Sequence, residues 1–195
     1  MAKQPVMGAV KTRLARQVGV AEALRFYRNA VRTVVRRLGA DPRWRTVLAI
    51  APDTALAAPV WPRGVARMAQ GRGDLGQRMQ RLLEAPQPGP VILVGTDIPS
   101  IRPAHIAEAF RLLGRHDAVL GPACDGGYWL VGLKRCPRIP RAFTGVRWSA
   151  PETLTDTLGN LAGARVALAG TLSDVDTAAD LARLGWNAAR VIASR

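Results

Sequence analysis

The 195-residue chain carries 28 cationic against 14 anionic side chains, a formal net charge of +14, and 48% of its residues are hydrophobic. Length and apolar content suit one folded domain with a sizeable core and exclude a disordered chain. No apolar run approaches the roughly 20 residues of a membrane helix, and no charged-then-apolar leader opens the sequence, so no membrane partner and a cytoplasmic location are expected.

In chain order, Leu24, Tyr27, Val31, Val34, Val35 and Leu38 recur at helical spacing up to Gly39, with Arg25, Arg28, Arg32 and Arg36 on a solvated face. Thr46–Ala51 predicts a short buried strand closed by Pro52, residues 53–64 a loop, and Val65–Ala69 a further strand. Leu75, Met79, Leu82 and Leu83 form one helix face behind Asp74. Val91–Val94 is wholly apolar, which predicts a parallel strand buried on both faces, ending abruptly in Gly95-Thr96-Asp97 and stopped by Pro99. A helix begins at Pro103, carrying Ile106, Phe110 and Leu113. Ala118–Leu120 and Tyr128–Leu133 read as strands flanking a Gly-rich turn, Thr153–Leu161 as a helix, Val166–Leu168 as a strand and residues 177–193 as the last helix. This alternation predicts a mainly parallel sheet covered on both faces.

Only three of the 28 cations are lysines, Lys3, Lys11 and Lys134. The arginines are spread over every helical segment without interleaved aromatic residues, so a basic nucleic-acid-binding domain is the lesser alternative and an anionic small substrate suits the charge equally. Cys124 and Cys136 are too few for a disulfide framework and are expected as spare core thiols.

Four acidic clusters fall in loops after strands: Gly73-Asp74-Leu75-Gly76, Gly95-Thr96-Asp97, Asp125-Gly126-Gly127-Tyr128 and Asp174-Val175-Asp176-Thr177. Open α/β sheets bind ligands at the carboxyl ends of their strands, and several carboxylates converging there suit a hard cation such as Mg²⁺. Singly, each has a structural alternative. Asp74 and Asp176 can cap helices, Asp97 is a cap or a metal ligand, and Asp125-Gly126-Gly127 can be a hairpin turn. The segment Lys3-Gln-Pro-Val-Met-Gly8-Ala-Val-Lys11-Thr12-Arg13 suits a polyphosphate: glycine lets backbone approach, and cations neutralise oxygens. Two of the three lysines lie here, although the Walker spacing is absent. In Gln70-Gly71-Arg72-Gly73-Asp74, the glycines permit close approach of a flat ligand, and Arg78 one turn into the helix could reach a phosphate.

The order of motifs is itself distinctive: Lys3-x-Pro-x-x-Gly8-x-x-Lys11-Thr-Arg-Leu, Gln70-Gly-x-Gly-Asp-Leu-Gly76, Gly95-x-Asp-x-Pro99, Leu120-Gly-Pro-Ala-x-Asp-Gly-Gly-Tyr128, Trp148-Ser149 and Asp174-x-Asp-Thr-x-x-Asp-Leu181. Over nearly its whole length the chain resembles the rSAM/selenodomain-associated transferase 1 family of the nucleotide-diphospho-sugar transferase (GT-A) superfamily. It is more distantly similar to 2-phospho-lactate and molybdenum-cofactor guanylyltransferases. The resemblance implies a three-layer α/β/α sandwich, a single GT-A-like domain over residues 1–195. It implies nucleotide phosphates at Gly8, Lys11 and Arg13, with Lys3, Thr12, Gly73, Asp74 and Arg78 around them. The implied ligands of Mg²⁺ or Mn²⁺ are Asp97 and either Asp174 or Asp176. Asp125, Gly126, Gly127, Tyr128 and Trp148 would form the acceptor side.

The expected reaction is nucleotidyl transfer from a nucleoside triphosphate to a small phosphorylated, anionic acceptor, with Lys11, Arg13 and Asp97 catalytic. Glycosyl transfer from a nucleotide sugar is the alternative, and a homo-oligomer is compatible with the sequence. Members of the family carry a full apolar strand before Lys-x-Pro. Here Met1 lies two residues before Lys3, so the first strand is expected to be cut short or to start upstream, and Met7 stands in place of a second proline.

Overall fold

The computed structural model describes residues 1–85 and 89–185. Its strands are β1 (Ala2–Lys3), β2 (Val47–Ala51), β3 (Ala66–Ala69), β4 (Val91–Val94), β5 (Ala118–Pro122), β6 (Tyr128–Leu133) and β7 (Val166–Leu168). The helices are α1 (Thr12–Val18), α2 (Val20–Gly39), α3 (Leu75–Glu84), α4 (Pro103–Leu113), α5 (Thr153–Asn160) and α6 (Ala178–Arg183). Of the predicted last helix over 177–193, residues 186–193 lie outside the described residues.

Strands β1, β2 and β3 pair in parallel in the order β1-β2-β3, and a second sheet runs β4-β6-β5-β7. The two meet where β1 reaches β4: the Met1 amino group donates to the Val94 carbonyl at 2.7 Å, and the Thr96 hydroxyl donates to the Met1 carbonyl at 3.0 Å. The sheet is mixed rather than wholly parallel. β6 runs antiparallel to both β4 and β5, because the Asp125-Gly126-Gly127 turn returns the chain directly beside β5, and only a long crossover can make a parallel neighbour.

This corrects the reading of Val91–Val94. Its ladder partner is the antiparallel β6, and all four residues are half-buried rather than buried. The two-residue β1 meets the C-terminal end of β4, and among the described residues no strand lies beside the rest of that edge.

Helices cover both faces. On one, Val34 and Leu38 of α2 and Ile106, Ala109 and Leu113 of α4 pack on Val119, Leu130 and Ala167. On the other, Met79 and Leu83 of α3 pack with Leu161 on Ala118, Leu120, Val131 and Leu133. Side chains alternate across β5, Val119 to one layer and Ala118 and Leu120 to the other, as the two-residue strand period requires. Leu24, Tyr27, Val31 and Val35 bury the first half of the sheet against Leu48 and Ile50, the face that helical spacing predicts.

The cysteines are not core thiols: Cys124 and Cys136 are both free and exposed. Cys124 sits in the β5–β6 turn and Cys136 in the loop after β6, where the chain has left the layers that could bury them. No helix among the described residues is long and apolar enough to cross a membrane.

Candidate active site

A cleft of about 1520 Å³ opens along the carboxyl ends of the strands, between the Lys3–Arg13 loop, the Gln70–Gly73 loop and the segment around Trp148–Pro151. Three acidic clusters reach it. The Asp97 carboxylate serves no helix cap, since α4 starts six residues later behind Arg102. It folds back over Gly95 instead, where a β-carbon would lie 2.9 Å from Asp97 Oδ1. Asp176 is likewise released from capping. Thr177 caps α6 in a capping box with Asp180, and Asp180 also accepts from the Asp176 backbone N–H. Asp176 therefore stands outside the helix with its carboxylate free to turn inward.

Both carboxylates, with Asp174, converge on Lys11. Its Nζ lies 2.8 Å from Asp97 Oδ2, 2.8 Å from Asp176 Oδ1 and 3.6 Å from Asp174 Oδ2. The Lys11 side chain is 6% exposed while each aspartate is about a third exposed, so the ammonium is enclosed and the carboxylates face the cleft. Burial would lower the Lys11 pKa, but Asp97 and Asp176 outweigh it and hold the ammonium above the ordinary lysine value. Burial also pushes Asp174 up to about 6, against the pull of Lys11 and reinforced by Asp176, Asp97 and Asp125. Three carboxylates with one ammonium leave the cluster short of positive charge.

The donor set fits a hard divalent cation, which takes carboxylate oxygens in preference to nitrogen or sulfur. The spacing, however, is that of carboxylates gathered around an ammonium: among the described residues no three acidic, histidine or cysteine side chains stand as a metal-ligand array.

The cations of the loop divide. Arg13 is 69% exposed and touches the cluster only through Nη1, 3.5 Å from Asp176 Oδ2. Lys3 is exposed and donates from Nζ to the Ala9 carbonyl, while its backbone is clamped by the Tyr27 hydroxyl, which accepts from Lys3 N–H and donates to Lys3 C=O. Thr12 opens α1 at the cleft. Gly8, at φ +74°, has open space where a β-carbon would stand, so it serves the turn of the loop.

Asp74 is a helix cap. It accepts from Gln77 N–H at 2.8 Å in a capping box and does not line the cleft. Gly73, at φ +106°, lines the cleft beside it. Arg78 also lines the cleft, held by the Asp74 carbonyl and by Gln70 Oε1 at 3.3 Å.

On the far side, Asp125 accepts from Gly127 N–H at 3.0 Å and is exposed, and half-buried Gly127, Tyr128 and Trp148 line the cleft beside it. Gly126 is different. At φ +86° its missing β-carbon would fall 2.3 Å from the Pro151 carbonyl oxygen, so it docks the turn on the loop ahead of α5 and does not line the cleft. Burial pushes the Tyr128 phenol up to about 12, so it stays neutral, and its oxygen accepts from Thr157.

Two contributors carried no expected role. Gln70, buried, donates from Nε2 to the carbonyls of Ala2 and Ala49, each at 3.0 Å, tying the ends of three strands together under the cleft. Asp53, which accepts from Gly71 N–H at 3.0 Å, positions the Gln70–Gly73 loop. The signal that singles out Asp97, a carboxylate just past an apolar strand with a proline close by, also finds Asp53 behind Ala51-Pro52. A single buried glutamine has no comparable signature.

Residues 34–150 match a family model described as an uncharacterized protein conserved in bacteria (DUF2064). The chain belongs to this family. A provisionally named nucleotide-diphospho-sugar transferase from Desulfovibrio desulfuricans G20 is similar over 99% of this chain and 88% of its own, with a TM-score of 0.83 and 29% identity. Rv0371c from Mycobacterium tuberculosis H37Rv aligns over 81% and 83% of the two chains at 18% identity and a TM-score of 0.51. A 4-diphosphocytidyl-2C-methyl-D-erythritol synthase from Anaerococcus prevotii DSM 20548 aligns over 88% and 90% at 11% identity and a TM-score of 0.54. No curated protein matches the chain. The chain's fold is thus of the three-layer GT-A type, and the cleft lies at the carboxyl edge of its sheet.

Proposed function

We propose that the protein is a nucleotide-dependent transferase that passes a nucleotidyl group from a nucleoside triphosphate to a small phosphorylated acceptor. One observation carries this reading. Three carboxylates and the end of a cationic loop meet at one place in a single cleft at the strand ends, a gathering of both charges that suits a polyphosphate with its counter-ion. The GT-A-type neighbours support it.

In this reading Asp97 and Asp176, with Asp174, would hold Mg²⁺ or Mn²⁺, which when bound supplies charge neutralisation to the phosphates. Arg13, exposed at the mouth, meets the β- and γ-phosphates, and Arg78 and the backbone of Gly73 flank the nucleotide. Tyr128 and Trp148 wall the acceptor side, with Asp125 at its rim. An acceptor phosphate oxygen attacks the α-phosphorus, the new P–O bond forms as the bond to the bridging oxygen breaks, and pyrophosphate leaves with the displaced electron pair. No side chain need act as a nucleophile, because positioning and charge stabilisation carry such transfers.

Glycosyl transfer is the second reading, favoured by the name of the Desulfovibrio neighbour. There an acceptor hydroxyl attacks the sugar's anomeric carbon, the new C–O bond forms as the bond to the diphosphate breaks, the nucleoside diphosphate leaves with the electron pair and the hydroxyl proton passes to solvent. Each nucleoside triphosphate is mixed with Mg²⁺ and a panel of phosphorylated acceptors, and pyrophosphate is assayed. Release with one pairing supports nucleotidyl transfer. No release with any, together with cleavage of nucleotide sugars, replaces it with the second reading.

A further inference from the structure

Lys11 occupies the space in which a cation bridging Asp97 and Asp176 would sit, with two carboxylate oxygens each 2.8 Å from its Nζ and a third at 3.6 Å. The arrangement has a backbone counterpart. Lys11 is the residue before α1 and stands at φ 48°, ψ 47°, in the left-handed region, without a side-chain capping bond. A non-glycine residue adopts this conformation uncommonly and at some cost, which its surroundings must offset. The ionic contacts of its side chain, at the end of a glycine-bearing loop, are the interactions at hand to do so.

We infer that Lys11 is a built-in counter-ion: without nucleotide its ammonium occupies the carboxylate cluster in place of a divalent metal, and the nucleotide's phosphates draw it out. The inference rests on the reading of Asp97, Asp174 and Asp176 as the metal-holding residues. A divalent cation that takes all three of these oxygens would have to stand where Lys11 Nζ now stands, and two cations cannot share one position. A metal arriving alone must therefore expel an ammonium that has no other anion to meet. With a nucleotide in the cleft, the flexible four-carbon stem can carry the same ammonium to a phosphate, a partner of equal charge quality. Lys11 thus discriminates against metal in the empty site and favours it in the loaded one. By linkage, any strengthening of metal binding by nucleotide is returned equally as strengthening of nucleotide binding by metal.

The test is a titration of nucleotide-free protein with Mn²⁺, followed by the electron paramagnetic resonance signal of the free ion. Lys11→Met, which keeps the stem and removes the charge, is expected to bind Mn²⁺ at least about tenfold more tightly than wild type, within the range of ordinary coupling factors. A second measurement needs no variant. Acetylation by a limiting reagent is followed by mass spectrometry, with exposed Lys3 as internal reference. Lys11 is expected to be protected in metal-free protein and to gain reactivity when Mn²⁺ is saturating. If wild type binds Mn²⁺ but Lys11→Met binds it no more tightly, or Lys11 stays equally protected with metal bound, the counter-ion role is overturned while the metal site stands. If neither protein binds Mn²⁺, with or without nucleotide, the metal site and the inference fall together.

Discussion

Replacing Asp97 by asparagine and Lys11 by methionine separates the parts of the charge cluster, and the two changes should behave differently. The raw attraction between Asp97 and Lys11 at 2.8 Å is about 6 kcal/mol at the effective dielectric of a partly exposed site. The net worth of one charge-assisted hydrogen bond is smaller, roughly 1.5–3 kcal/mol. Asp97→Asn forfeits that bond but leaves Lys11 paired with Asp176 and Asp174, and it relieves the mutual repulsion of three carboxylates. The expected loss of stability is under about 2 kcal/mol.

Lys11→Met instead strips the shared counter-ion from all three carboxylates. Breaking a buried pair from one side costs about 3–5 kcal/mol. Because each aspartate is about a third exposed and keeps some water, a loss of about 2–4 kcal/mol is expected here. Urea unfolding at neutral pH measures both. Pyrophosphate release by Asp97→Asn should fall at least about a hundredfold, the scale on which losing one transition-state charge stabiliser acts. The reasoning is refuted if Asp97→Asn destabilises as much as Lys11→Met, or if it keeps wild-type turnover.

Arg13→Ala should raise the KM for nucleoside triphosphate about tenfold, the worth of one charge-assisted contact, and leave the unfolding midpoint unchanged, since the side chain is 69% exposed with a single long contact; a lost midpoint would mark it as structural. Asp174 has its pKa raised from 3.8 to about 6 in the folded protein. The native state therefore binds the extra proton, and this group's stabilisation, present below pH 3.8, is lost as pH rises through 6. The wild-type minus Asp174→Asn stability difference, measured by urea unfolding at a series of pH values, should fall across that interval and be flat above it; a flat difference throughout refutes the assignment. Gly126→Ala should cost about 2–3 kcal/mol, because its β-carbon would fall 2.3 Å from the Pro151 carbonyl oxygen at φ +86°; thermal unfolding within a degree of wild type would refute the docking role.

Much of the layered architecture was legible in local pattern. Helical spacing in Leu24–Leu38 and the buried strand before Pro52 appear where periodicity places them, because burial on one face needs only the identities of near neighbours. Strand partners were less legible. Val91–Val94 is as apolar as a doubly buried parallel strand, yet its partner is the antiparallel β6 and its other edge is barely met by β1. Apolarity records that a strand is covered, not by which neighbour.

The same division runs through the site. Residue type and position after a strand were enough to single out Asp97, Asp125, Asp174 and Asp176, and a glycine-bearing cationic loop was enough to single out Lys11 and Arg13. Which of the acidic residues were caps was decided by the three-dimensional start of each helix: Asp74 caps α3, whereas Thr177 takes the cap of α6 and frees Asp176. That Lys11 would be enclosed by carboxylates and Arg13 left in solvent depends on contacts spanning more than 80 residues. Composition and spacing thus determined a basic α/β chain with acidic groups at its strand ends. Only the tertiary structure decided which charges meet, because pairing is set by distance in space and not by separation along the chain.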